Sequence, residues 1–146
     1  MKTFISLLVA VGLLLLSAQS FANPLTVEDL YVRATPPNSK NSAAFMVIKN
    51  TAKKDIKLIA AGSDIASRVE LHNHVMDNGL MKMRQVKEII IKAESSVALQ
   101  PGGYHVMFLN LKQPLKEGQS VTLSLSFDNG QQLTVDAPVK KIKIHK

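Results

Sequence analysis

Residues 70–83 read Glu-Leu-His-Asn-His-Val-Met-Asp-Asn-Gly-Leu-Met-Lys-Met, and their repeat pattern decides what the chain can fold into. From Arg68 to Val75 the residues alternate. Val69, Leu71 and Asn73 fall on one side, and Glu70, His72 and His74 on the other. Leu80 to Val86 alternates again. A period of two belongs to an extended strand, not to a helix. Between the runs stands Asn78-Gly79, which suits a two-residue type I′ turn whose central residues both need positive φ. The segment is therefore predicted as a β-hairpin.

In that register Asp77 faces Leu80, Met76 faces Met81, His74 faces Met83, and His72 lies diagonal to Met83. His72, His74, Met76, Met81 and Met83 would then share one face. Opposite and diagonal neighbours sit about 5–8 Å apart at Cβ, within reach of chelation by long side chains. A three-residue Asp-Asn-Gly loop would shift the pairing and set Lys82 and Arg84 beside the histidines, where two cations would oppose metal binding.

Outward from the hairpin the chain repeats the same grammar. Ala44–Lys49, Ile56–Ala60, Glu88–Lys92, Val97–Leu99, Tyr104–Leu111, Val121–Phe127 and Gln132–Val135 are short apolar or alternating runs bounded by turn residues. Asp128-Asn129-Gly130 marks a second hairpin. No stretch keeps a helical period. Turns at intervals near ten residues indicate an all-β, antiparallel sandwich of Greek-key type or a barrel, in a single domain. Residues 36–42 form the one extended loop, and the basic tail from Val139 is expected to fray.

The first residues carry a different message. Met1-Lys2-Thr3 is a short charged start, Phe4–Leu16 is mostly apolar, and Ser20-Phe21-Ala22 is a small-x-small cleavage pattern. Residues 1–22 are expected to be a cleaved signal peptide, too short in its apolar part to span a membrane. Cleavage would leave 124 residues (146 less 22) as one exported domain, 23–146. The formal charge of +7 would drop to +6 with Lys2 removed. Scattered lysines favour solubility and docking on an acidic partner face. With only seven aromatic residues in an exported chain, nucleic-acid binding is excluded as an expectation. The chain has no cysteine, so neither a disulfide nor a cysteine-borne lipid is expected, and any metal must be held by His, Met, carboxylate or backbone.

Two histidines and three methionines crowd into those fourteen positions, out of four His and six Met in 146 residues. A second pair, His105 and Met107, stands at i, i+2 and would share one strand face, with Tyr104, Val106 and Phe108 turned to the core. The preceding Pro101-Gly102-Gly103 turn could bring that face to the hairpin. Thioether sulfur is soft and uncharged and selects Cu(I). Zinc sites use Cys, His or carboxylate, and calcium or magnesium needs oxygen. Met46 reads as core and His145 as a solvent-exposed tail residue, while His74, Met76 and Met81 are weaker ligand candidates.

The spacing His72-x10-Met83-x21-His105-x-Met107 resembles the signature of the periplasmic copper chaperone PCu(A)C family. Residues 99–107, Leu-Gln-Pro-Gly-Gly-Tyr-His-Val-Met, look like its PGGYHxM segment. Residues 111–118 resemble its following loop, and residues 43–50 its first core strand, so the likeness covers nearly the whole chain beyond residue 22. The resemblance implies a cupredoxin-like β-sandwich with one Cu(I) held by His72, Met83, His105 and Met107. It implies delivery to the CuA subunit of cytochrome oxidase during oxidase assembly, beside a thioredoxin-like Sco protein. Two departures stand out. Asn73 follows the first ligand where some members have an additional Met, and the tail lacks a His- and Met-rich extension for Cu(II).

Carriage by a monomer, not catalysis, is the expectation. No G-x-S-x-G nucleophile motif is present, nor the His₂Cys set of an electron-transfer copper site. Copper storage or detoxification with the same site is the alternative, followed by a non-metal structural sandwich.

Overall fold

The computed structural model describes residues 22–142. The expected signal peptide therefore lies outside the described residues except for Ala22, and so does His145.

Alternation dictates the architecture. Along Ser120–Phe127, Val121, Leu123, Leu125 and Phe127 are all buried and the residues between them are not. Ten strands form in chain order: β1 Leu25–Arg33, β2 Asn41–Asn50, β3 Ile56–Gly62, β4 Ala66–Asp77 and β5 Leu80–Gln85, then β6 Ile89–Ile91, β7 Ser95–Leu99, β8 His105–Leu111, β9 Ser120–Phe127 and β10 Gln132–Lys140. No helix among the described residues is long and apolar enough to cross a membrane.

The strands make two layers. One runs β5-β4-β8-β2-β1 with β7 also paired to β2, and the other runs β10-β9-β3-β6. A two-residue parallel pairing of β1 with β10, Val32 to Val139 and Arg33 to Lys140, joins them. Between the layers lies one apolar core that includes Met46, Ile48, Leu58, Leu71, Ile89, Val106, Phe108 and Leu123. This is the expected cupredoxin-like β-sandwich, with Met46 in the core as its sequence context suggests.

Two elements differ from the expectation. β1 was not marked by its sequence, because a bulge interrupts its alternation: pairing with β2 shifts between Glu28 and Tyr31, and Asp29 takes a φ of 50°. The tail also does not fray at Val139. β10 continues through Lys140, Val139 is buried, and its N–H donates to the Gln119 carbonyl at 2.8 Å. Pro138 disguised this continuation, since proline inside a strand reads as a break.

One feature of the sheet positions the site. β2 pairs with β8 through residues 41–44 and with β7 through residues 46–50, along the same edge. The chain leaves that edge after Leu99 and returns at His105. The excursion is closed by Gln100 N–H to the Tyr104 carbonyl (2.9 Å) and Gly103 N–H to the Gln100 carbonyl (3.0 Å).

Candidate metal centre

The hairpin adopts the two-residue register. Asn78 and Gly79 have φ of 50° and 76°, and the pairs are Asp77–Leu80, Met76–Met81, His74–Met83 and His72–Gln85. Lys82 and Arg84 therefore point to the opposite face, where Asp77 holds them at 2.7 and 3.6 Å. No hairpin cation crowds the histidines.

Strand pairing assembles the rest. Across β4 and β8, His72 stands opposite His105 and Glu70 opposite Met107. Ala43 on β2 pairs with Met107, so Ala43 and Phe45 continue the same face. The His105 ring centroid lies 5.7 Å from that of His72, 5.3 Å from that of His74 and 6.2 Å from Phe45. A cleft of about 910 Å³ opens over this face, lined by His74, Met81, Met83, His105, Met107 and the Pro101-Gly102 turn. His72 is set back from the cleft wall, beside His105.

Hydrogen bonding presets the imidazoles. The His105 Nδ1–H donates to the Gly103 carbonyl at 3.0 Å, which leaves Nε2 as the lone-pair nitrogen. The His72 Nε2–H donates to Glu70 Oε2 at 2.8 Å, which leaves Nδ1 with the lone pair. His72 Nδ1, His74 Nδ1 and His105 Nε2 are each buried without a hydrogen-bond partner. Buried polar atoms in folded proteins are normally paired, so three orphaned nitrogens on one face ask for a ligand. Burial holds the His105 pKa below the ordinary histidine value. The Gly103 carbonyl opposes that shift, while His74, His72 and Arg33 add to it. The lone pair of His105 is thus kept free of a proton.

The four sequence-predicted ligands, His72, Met83, His105 and Met107, share this face, and so do His74, Met76 and Met81. They differ in exposure: His105 is 2% exposed, Met83 41%, Met81 60% and Met76 67%. Among the described residues no three His, Asp or Glu side chains converge closely enough to hold an ion by themselves. The remaining donors on this face are thioether sulfurs, and a set of imidazoles and thioethers fits a soft monovalent metal and not zinc. Sequence reasoning missed Glu70 and the Gly103 carbonyl as orienting groups. The signal was present, since each lies two residues before its histidine.

Comparison with known proteins agrees with the fold. The family model described as "Putative lipoprotein LpqE-like" matches residues 25–139. Lxx21020 of Leifsonia xyli subsp. xyli, which carries the same lipoprotein designation, is 37% identical over 120 residues, covering 82% of this chain and 71% of its own. The solution structure of the Cu(I) form of DR1885 from Deinococcus radiodurans superposes with a TM-score of 0.65 at 36% identity, over 85% of this chain and 83% of that one. The copper-bound PCuAC domain of PmoF2 has the same fold, with a TM-score of 0.70 at 22% identity over 82% of this chain and 95% of that domain.

Proposed function

The chain belongs to the LpqE-like, PCu(A)C family, and on that premise we propose that it is an exported copper chaperone. It would hold one Cu(I) through His72, Met83, His105 and Met107 and deliver it to CuA-type centres of respiratory oxidases. The observation that carries the reading is the set of buried, unpartnered imidazole nitrogens facing thioethers across one sheet surface. Copper in the DR1885 and PmoF2 structures supports the choice of metal for this chain. The lipoprotein designation of the relatives supports export to the periplasm, although these 146 residues hold no cysteine to carry a lipid.

The chemistry is ligand exchange. Four neutral donors leave the ion its single positive charge, so nothing in the site opposes removal by an anionic acceptor. Met83 lies at the exposed rim and Met107 lines the cleft, so an incoming ligand can displace a thioether first while the imidazoles still hold the ion. A thiolate-containing acceptor binds more tightly because it adds charge and softer sulfur. Transfer then runs downhill without free Cu(I).

Anaerobic Cu(I) titration against a chromophoric chelator tests the site, with Met83→Ala and His105→Ala alongside. One tightly held equivalent is expected for the parent protein, with its affinity reduced at least about tenfold in each variant, a loss of about 1.4 kcal/mol. Undiminished binding in both variants would sink the assignment. Incubation of the loaded protein with an apo CuA fragment separates delivery from storage, since a store keeps its copper.

A further inference from the structure

Three soft donors remain on the site face once the four proposed ligands are set aside: His74, Met76 and Met81. Met76 and Met81 stand directly opposite each other, and His74 is opposite Met83 and so diagonal to Met81. Opposed side chains lie about 5 Å apart at Cβ and diagonal ones about 7–8 Å, a span that unbranched methionines can close around one ion. His74 Nδ1 is buried with no partner. Met76 and Met81 are among the most exposed large apolar side chains described, at 67% and 60%. A surface cluster of this kind, beside a cleft, is unusual unless it contacts something. The hairpin's cations Lys82 and Arg84 lie on the other face with Asp77, so none of them repels a metal here.

We propose that His74, Met76 and Met81 form a second, weaker Cu(I) position of one imidazole nitrogen and two thioether sulfurs at the hairpin tip. This rests on the reading of the four-residue site, next to which it sits. Met83 links the two positions, being paired with His74 and two residues from Met81 on the same strand face. Copper moving outward therefore exchanges one neutral donor for another in steps, with no change of oxidation state and no proton released. Exposure makes the outer position weak and fast to exchange, which suits the point where copper is received or surrendered.

The test is an anaerobic Cu(I) titration of the protein carrying ¹³C-methyl methionine, followed by NMR. Met83 and Met107 methyl signals are expected to shift with the first equivalent, and Met76 and Met81 only as a second is added. The pair Met76→Leu and Met81→Leu should weaken the second step by at least about tenfold while sparing the first, and His74→Ala should weaken the second step by a similar factor. The leucines keep the apolar surface and remove only the sulfur, so a mere docking patch would be unaffected. Met76 and Met81 signals that stay still through two equivalents overturn the proposal, as does a leucine variant that still takes up the second ion. Should Met76 and Met81 respond first while Met83 and Met107 stay still, the four-residue site fails and the outer one stands.

Discussion

Buried polar side chains lie near both ends of the sandwich, on β2 at one and on its neighbour β8 at the other, and the two ends treat them in opposite ways. At one end Asn50, 1% exposed, has its hydrogen-bonding capacity filled. Its amide donates to the carbonyls of Lys54 (2.8 Å) and Ile91 (3.1 Å), and its Oδ1 accepts from Ala52 N–H at 2.9 Å. At the other end His105, equally buried and lying where β8 joins β2, has one nitrogen tied and the other orphaned. Satisfied buried polarity ties strands together. Unsatisfied buried polarity costs about 1–3 kcal/mol and persists where a ligand completes it.

The largest effect expected from this contrast is on the gain in stability from copper. A ligand at roughly a thousand times its Kd stabilises the fold by about 4 kcal/mol. Thermal unfolding with and without Cu(I) should show that gap in the parent protein and its collapse in His105→Leu. The apo form of the variant should be no less stable than the parent. It loses a hydrogen bond worth about 1 kcal/mol but no longer buries an unpaired nitrogen. A variant that keeps the copper gap would break the comparison at its functional end.

Asn50→Leu tests the other end. Its loss strands the carbonyls of Lys54, Ile91 and Lys92, so chemical denaturation should show a cost of about 2–3 kcal/mol. Copper affinity should not move, because Asn50 lies at the far end of β2 from Ala43 and Ala44, the residues that pair with Met107 and Val106. A coupled loss of affinity would show that the two ends are not independent.

Glu70→Gln sharpens the functional end. The amide keeps the size of the carboxylate but removes the charge that holds the His72 Nε2–H at 2.8 Å. Orienting groups behind metal-bound histidines are worth about 10–100-fold in affinity, and the lower part of that range is expected because glutamine still accepts a hydrogen bond. Unchanged Cu(I) affinity in a chelator competition would remove Glu70 from the site.

These contrasts also mark what could be read before any coordinates. The hairpin was legible because Asn78-Gly79 imposes its own turn and the alternation on both sides is clean, and so five of the seven donors could be put on one face. His105 and Met107 were legible as a pair, but not their pairing with β4, since a sheet partner thirty residues away leaves no local trace. β1 was hidden by its bulge at Asp29, and the end of β10 by Pro138. Burial of His105 was hidden too. A histidine alternating with Tyr104 and Val106 reads as facing away from the core, and only the loop closed by Gln100 and Tyr104 and the rings around it enclose it.

The smallest effect expected is on pH dependence, and it follows from the same enclosure. Burial first, then neighbouring His74, His72 and Arg33, lower the His105 pKa against the pull of the Gly103 carbonyl. The unfolded chain, with an ordinary value of about 6.5, therefore takes up this proton before the folded one does. Stability from His105 is complete above about 6.5 and drains away as pH falls toward and through its lower folded value. Apo-protein melting temperatures measured from about pH 7.5 down to 5 should fall on acidification, and the fall should be shallower in His105→Gln, which has no proton to gain. Identical slopes in the two proteins would mean that His105 is not held neutral by its surroundings. The same shift keeps the His105 lone pair available to Cu(I) in mildly acidic medium, so its contribution to affinity should survive at about pH 6.5, where an exposed histidine is already half protonated.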